Sequence, residues 1–216
     1  MRLHLGCGQR YLKGYLNIDF PSSEHTVQPK SVADRCDDIL SLNYPTESID
    51  EVRLHHVFEH FARPVACALL TNWYSWLKPA GRLHIEVPNF YIISCIILNP
   101  FSSFNKKAIA ERHLFGSHEA SWAVHCEGYT PDTLKKIVES FGFKTIKIKK
   151  KSWRGTYNFE LIGIKDRAMS QNDFKQIAFQ YLSNFLVDES ATEKALLKVW
   201  MDTYRRHIKD PEVSFE

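Results

Sequence analysis

Apolar and polar positions alternate in short runs at the start of the chain and return at helical spacing in its middle and end. Leu3 and Leu5 alternate with polar neighbours and run straight into Gly6-Cys7-Gly8, a strand that closes in a glycine turn. Residues 15–19, 31–36 and 48–57 read as three more strands, the last carrying Ile49, Val52, Leu54 and Val57. Pro64 suits a first helical turn. Leu69, Leu70, Trp73 and Leu77 then keep helical spacing to about Lys78, and Pro79-Ala80-Gly81 stops the helix. Residues 82–87 alternate strictly and end at Pro88-Asn89. Residues 90–128 hold no single period and are rich in aromatic and imidazole groups, so they read as a lid or binding loop. Thr130 caps a helix with Pro131 at its first position, Leu134, Ile137, Val138 and Phe141 as its stripe, and Gly142 at its end. Residues 144–151 and 157–165 pair as strands across a turn at Arg154-Gly155.

The tail differs in kind. Ser170 and Ser190 each precede an acid three residues on, Asp173 and Glu193, the second making a full capping box. Phe174, Ile177, Ala178, Tyr181, Leu182, Phe185 and Leu186 fit a helical period, as do Leu196, Val199, Trp200 and Tyr204. A helical hairpin follows, residues 166–216, appended to a domain of residues 1–165. Its apolar faces either cover the domain's own flank or form a homodimer surface.

Composition narrows the class. The 216 residues are 44% hydrophobic and 25% charged, with a net charge of +3, too small for the basic face that nucleic acid requires. Five scattered cysteines without a C-x-x-C pair point to reduced thiols and a cytoplasmic setting. No apolar run reaches the roughly 20 residues of a membrane span.

Strands alternating with helices imply a parallel sheet that binds ligands at the strands' carboxyl ends. Three such ends carry Gly6-Cys7-Gly8, Asp19 and Asp37-Asp38. Together they describe a nucleoside-bearing cofactor across the sheet top, one carboxylate for a ribose diol and another for an adenine amine. The third glycine of a dinucleotide fingerprint is missing, its place taken by Tyr11.

Leu3-His4-Leu5-Gly6-Cys7-Gly8 followed by Gly14-Tyr15-Leu16-Asn17-Ile18-Asp19 resembles class I S-adenosylmethionine-dependent methyltransferases, in the branch whose first helix is cut to about one turn. Asp38 to Leu42, His56-Val57-Phe58-Glu59-His60-Phe61 and Trp76 to Leu83 resemble later motifs of the family. The resemblance implies an α/β, Rossmann-like, doubly wound sheet of seven mostly parallel strands, with strand six at the edge and strand seven antiparallel beside it. It implies that Gly6, Cys7 and Gly8 meet the methionine part of S-adenosylmethionine, Asp19 the ribose, Asp38 and Ile39 the adenine, and the backbone near His55 and His56 the amino group. Asp19 lies 11 residues after Gly8, where a dinucleotide fold needs about 20, and the short connection suits a branch whose first helix is cut to about one turn.

The expected acceptor is a small molecule held under residues 90–128 by Tyr91, His118 and Trp122. His125 is the expected base for O-methylation, since histidine titrates in the useful range. Similar methyltransferases in sugar-modifying pathways make a sugar or capsule or polysaccharide precursor the first expectation. Lys147, Lys149 and Lys151 read as an edge-strand guard against aggregation, and Arg154 stands near the turn.

Two rival readings carry their own signatures. His56-x-x-Glu59-His60 is the inverted zinc-protease pattern and makes a zinc-dependent hydrolase if it lies on a continuous helix. His56 stands at a strand end, however, and a third ligand would have to come from His113, His118 or His125, so no metal is assigned. The other rival is a cofactor-binding partner subunit without turnover.

Overall fold

The computed structural model describes residues 1–24, 30–153 and 156–209. Among these residues seven strands form one sheet: β1 (Arg2–Leu5), β2 (Leu16–Asp19), β3 (Arg35–Cys36), β4 (Ile49–His55), β5 (Leu77–Pro88), β6 (Phe143–Trp153) and β7 (Thr156–Lys165). Their order is β3-β2-β1-β4-β5-β7-β6. β1 to β5 pair in parallel, and β7 runs antiparallel to both β5 and β6. This is the doubly wound arrangement expected, with its order reversing between β1 and β4. The expected third strand is only two residues long, and the expected turn at Arg154-Gly155 lies outside the described residues.

Every side chain of β1 past Arg2 is buried, and Val52, Leu54, Leu83, Ile85 and Val87 are closed off as well. Burial of both faces is the ordinary state of a parallel sheet between helices. α1 (Arg63–Trp76) is buried along most of its length, with Trp73 and Trp76 among its largest enclosed side chains. α4 (Pro131–Ser140) packs on β6 and β7 behind the Thr130 cap.

Residues 90–128 are not a loop. They fold into α2 (Phe90–Leu98), capped by Asn89, and α3 (Phe104–Phe115), capped by Ser103, followed by a short 3-10 turn, Ser121–Ala123. The period is hidden because the helices bury little: Leu98, Phe101 and Phe104 are exposed, so apolar residues do not mark an inner face.

α5 (Gln171–Ser183) and α6 (Ala191–His207) form the expected hairpin and pack on α1. Two details differ. The full capping box belongs to Ser170 and Asp173; at α6 the Glu193 carboxylate turns to accept from the Val187 amide at 2.9 Å. The buried stripe of α6 is Leu197, Met201 and Tyr204, while Leu196 and Val199 face outward. The hairpin covers the domain's flank: Tyr204 Oη lies 3.2 Å from Thr71 Oγ1, and Asn72 donates to the His207 carbonyl. Among the described residues no helix is long and apolar enough to cross a membrane.

Candidate active site

The carboxyl ends of β1 to β6 and the start of β7 lie on one rim. They surround a cavity of about 980 Å³ lined by Gly6, Cys7 and Gly8 after β1, Asp19 of β2, and Asp37 to Leu40 after β3. His55, His56 and Val57 at β4, Glu86 of β5, Lys151 and Ser152 of β6 and Asn158 of β7 complete that rim. Every strand therefore contributes, including the antiparallel one, which enters the rim by its opposite end. His60, Phe61, Glu119 and Trp122 stand on the remaining wall.

The glycine turn is built for close approach. Gly6 has φ +63° and Gly8 φ +53°, both left-handed. A Cβ on Gly6 would stand 2.3 Å from Val57 Cγ2, so the β1 and β4 loops meet there backbone against side chain. Asp19 ties the turn down: its carboxylate accepts from the Gly8 amide and, at 2.8 Å, from the Phe20 amide. Burial, with Asp19 beside it, pushes the Cys7 thiol up to about 12, so Cys7 is packing rather than a nucleophile. Asp38 accepts from the Leu40 amide at 2.8 Å, turning the Asp38-Ile39 backbone along the cavity edge.

Beneath the turn lies a buried polar string. His4 Nδ1 is 3.0 Å from Asn17 Oδ1, and His4 Nε2 is 2.9 Å from His55 Nδ1. Burial drives both histidines toward the neutral form, His55 down to about 2. The His55 side chain thus belongs to the scaffold under the β4 loop, and His56 is the residue that opens to the cavity, in a left-handed conformation at φ +55°.

That conformation answers the zinc-protease pattern. β4 ends at His55, His56 breaks it, and Phe58–His60 is a single 3-10 turn, so His56 and His60 share no continuous helix. His56 instead contacts carboxylates on both sides: Glu59 at 3.3 Å and Glu86 at 3.8 Å. Burial opposes its charged form, and these carboxylates outweigh burial and raise its pKa.

His125 stands 12% exposed behind His60, its Nε2 4.0 Å from Glu59 and its ring edge-on to the His60 ring at 4.6 Å. His60, not His125, is on the cavity wall. Of the residues expected against the acceptor, Trp122 reaches the wall and donates to the Glu24 carbonyl at 3.1 Å, bridging the 90–128 segment to the loop after β2. Tyr91 is 65% exposed outside the cavity, and His118 is exposed, bonded to the Phe115 carbonyl. Glu86 and Asn158 were not singled out in the sequence. Glu86 was legible, as the polar position next to last on a buried strand; Asn158 needed the antiparallel register. Lys151 also departs from the edge-guard reading, since it pairs with buried Glu160 at 3.1 Å and faces the cavity, whereas Lys147 and Lys149 point to solvent on the true edge strand.

A sheet rim of this kind, with a left-handed glycine turn facing acids on neighbouring strands, suits a nucleoside-bearing ligand. Residues 3–85 match the methyltransferase domain family. In structure, the chain is similar to an S-adenosylmethionine-dependent methyltransferase from Methanosarcina mazei, with 15% identity and a TM-score of 0.51 over 77% of this chain and 92% of that one. It is also similar to the 1,6-didemethyltoxoflavin N1-methyltransferase of Burkholderia thailandensis, determined with S-adenosylhomocysteine, at 12% identity and a TM-score of 0.50 over 77% and 71%. No curated protein matches the sequence. The match over residues 3–85 takes in the strands and turns that form the cofactor face, and it supports S-adenosylmethionine as the cofactor.

Proposed function

We propose that the protein transfers a methyl group from S-adenosylmethionine to a hydroxyl of a small acceptor, with a sugar or polysaccharide precursor as the first class to try. The observation that carries the reading is the Gly6-to-Gly8 turn, left-handed at both glycines, pinned by Asp19, and open to a cavity that all seven strands line. S-adenosylmethionine, when bound, supplies an electrophilic methyl group. The work left to the protein is to hold the acceptor oxygen in line and to take its proton.

The residues divide accordingly. Gly6 and Gly8 admit the ligand to the backbone, Asp19 faces the ribose, and Asp38 with Ile39 flanks the adenine. Phe61, Trp122 and His60 form the wall left for the acceptor. His60 lies nearest as proton acceptor, with Glu59 and His125 behind it to stabilise the imidazolium. A polar rim of Gln9, Arg10, Glu119, Lys151 and Ser152 supports an acceptor rich in hydroxyls.

Calorimetric titration with S-adenosylmethionine and S-adenosylhomocysteine, alongside an Asp19→Ala variant, tests the reading. Micromolar binding that weakens at least tenfold in the variant is expected. A folded protein that binds neither ligand removes the reading.

A further inference from the structure

Glu59 is the least explained group near the cavity. It is 1% exposed, and neither carboxylate oxygen accepts a well-formed hydrogen bond among the described residues. His56 Nδ1 stands 3.3 Å from Oε1 and compensates that oxygen, while Oε2 accepts no hydrogen bond among the described residues, a costly state for a buried carboxylate oxygen.

Its neighbours are metal ligands by chemistry. Ligand atoms of Glu59, His60 and His125 all lie within 4.8 Å of one another. Backbone bonds stitch the two segments together beside them: the Glu59 carbonyl accepts from the Cys126 amide at 2.8 Å and the Glu127 amide at 3.2 Å, and the His125 amide donates to the Phe115 carbonyl at 3.1 Å. The His60 ring is held from behind: its Nδ1 donates to the Val124 carbonyl at 3.1 Å, which leaves the Nε2 lone pair for a ligand. Metal-binding histidines are commonly fixed by such a second bond to a carbonyl.

We propose that Glu59, His60 and His125 bind one divalent transition metal of the zinc class, with a coordination position open toward the cavity wall that His60 forms. Two imidazoles and a carboxylate leave a tetrahedral ion one free position, and imidazole favours zinc or cobalt over magnesium and calcium. Ligand atoms around tetrahedral zinc stand roughly 3.4 Å apart, so the three groups close by about an ångström as the ion enters. His56 is an outer partner here. Asn158 Nδ2 lies 2.9 Å from His56 Nε2, which turns the opposite ring nitrogen toward Glu59. With the metal bound, His60 Nε2 is a ligand and no longer a proton acceptor, so the two roles exclude each other; use of the open position by an acceptor oxygen rests on the methyl-transfer reading, and binding of the metal does not.

The test uses the full chain after dialysis against a chelator. Zinc chloride is titrated calorimetrically, cobalt(II) is followed by visible absorption, and S-adenosylhomocysteine is titrated separately as a check on the cofactor face. One zinc per chain is expected. At least a tenfold loss of affinity is expected in His60→Ala and in His125→Ala, and no change in His207→Ala. The wild-type cobalt spectrum needs no substitution: intense four- or five-coordinate bands support the site, and a weak octahedral spectrum counts against it. If the wild type binds S-adenosylhomocysteine but no zinc, the metal site is wrong and the methyl-transfer reading stands. Undiminished zinc uptake by the double variant His60→Ala/His125→Ala also overturns the site. Zinc uptake without binding of S-adenosylhomocysteine supports the site and removes the other reading.

Discussion

Arg53 Nε donates a hydrogen bond to His55 Nε2 over 3.2 Å, and that contact sets the protonation of two buried histidines. Arginine has no acceptor, so His55 Nε2 carries the lone pair and Nδ1 the proton. Nδ1 then donates to His4 Nε2, and His4 Nδ1 donates to Asn17 Oδ1. Both rings are neutral and satisfied, and adding a proton to either breaks the string.

Stability is accordingly acid-sensitive. The folded pKa of His55 is depressed to about 2, and His4 and His84 are lowered in the same direction, His84 to about 4. A depressed histidine lends stability above its unfolded pKa, near 6.5, and loses it as pH falls below that value. For His55 alone the loss between pH 7 and pH 5 is about 2 kcal/mol. Urea midpoints at the two pH values should show it, and His55→Asn should flatten the dependence. Equal midpoints in the wild type would count against the string.

Gly6→Ala should weaken S-adenosylhomocysteine at least tenfold and destabilise the fold. The left-handed backbone costs a side chain about 1 kcal/mol, and the collision with Val57 adds about 1–3 kcal/mol. In a Val57→Ala background the steric part should return and the conformational part remain, which thermal melts can separate.

His125→Ala, which removes the ring packed behind the proton acceptor His60, should lower methyl transfer to a hydroxyl acceptor by roughly tenfold, less than the roughly 10²–10⁴-fold range for loss of the acceptor itself. Affinity for S-adenosylhomocysteine should stay within about twofold, because His125 lies off the cavity wall. Full turnover in the variant removes the cluster from the proposed chemistry.

The C-terminal hairpin should be inseparable from the domain. Thr71 and Asn72 of α1 are buried and bonded to Tyr204 and His207 of α6. A chain ending at Lys165 would expose that flank and is expected to aggregate on gel filtration. A double-mutant cycle of Thr71→Ala with Tyr204→Phe should show coupling of about 1 kcal/mol. Additivity would mean that the hydroxyl pair contributes nothing.

Local chemistry determined much of this protein from its sequence. Alternation at Leu3 and Leu5, the Thr130-Pro131 cap and the helical stripe beginning at Phe174 each depend on neighbours within a few residues, so the strands, most helix starts and the glycine turn were readable directly. The helices of residues 90–128 were not, because a helix that leaves Phe101 and Phe104 in solvent leaves no apolar stripe to read. The α6 stripe shifted by one position for a related reason: Leu196 and Leu197 are chemically equal, and only docking on α1 decides which one faces inward. The site divides the same way. Gly6, Asp19 and Asp38 stand at strand ends that the sequence marks. The meeting of Glu59 and His60 with His125, and of Asn158 and Lys151 with the rim, depends on register and long-range packing, where contact is made by residues that the sequence keeps far apart.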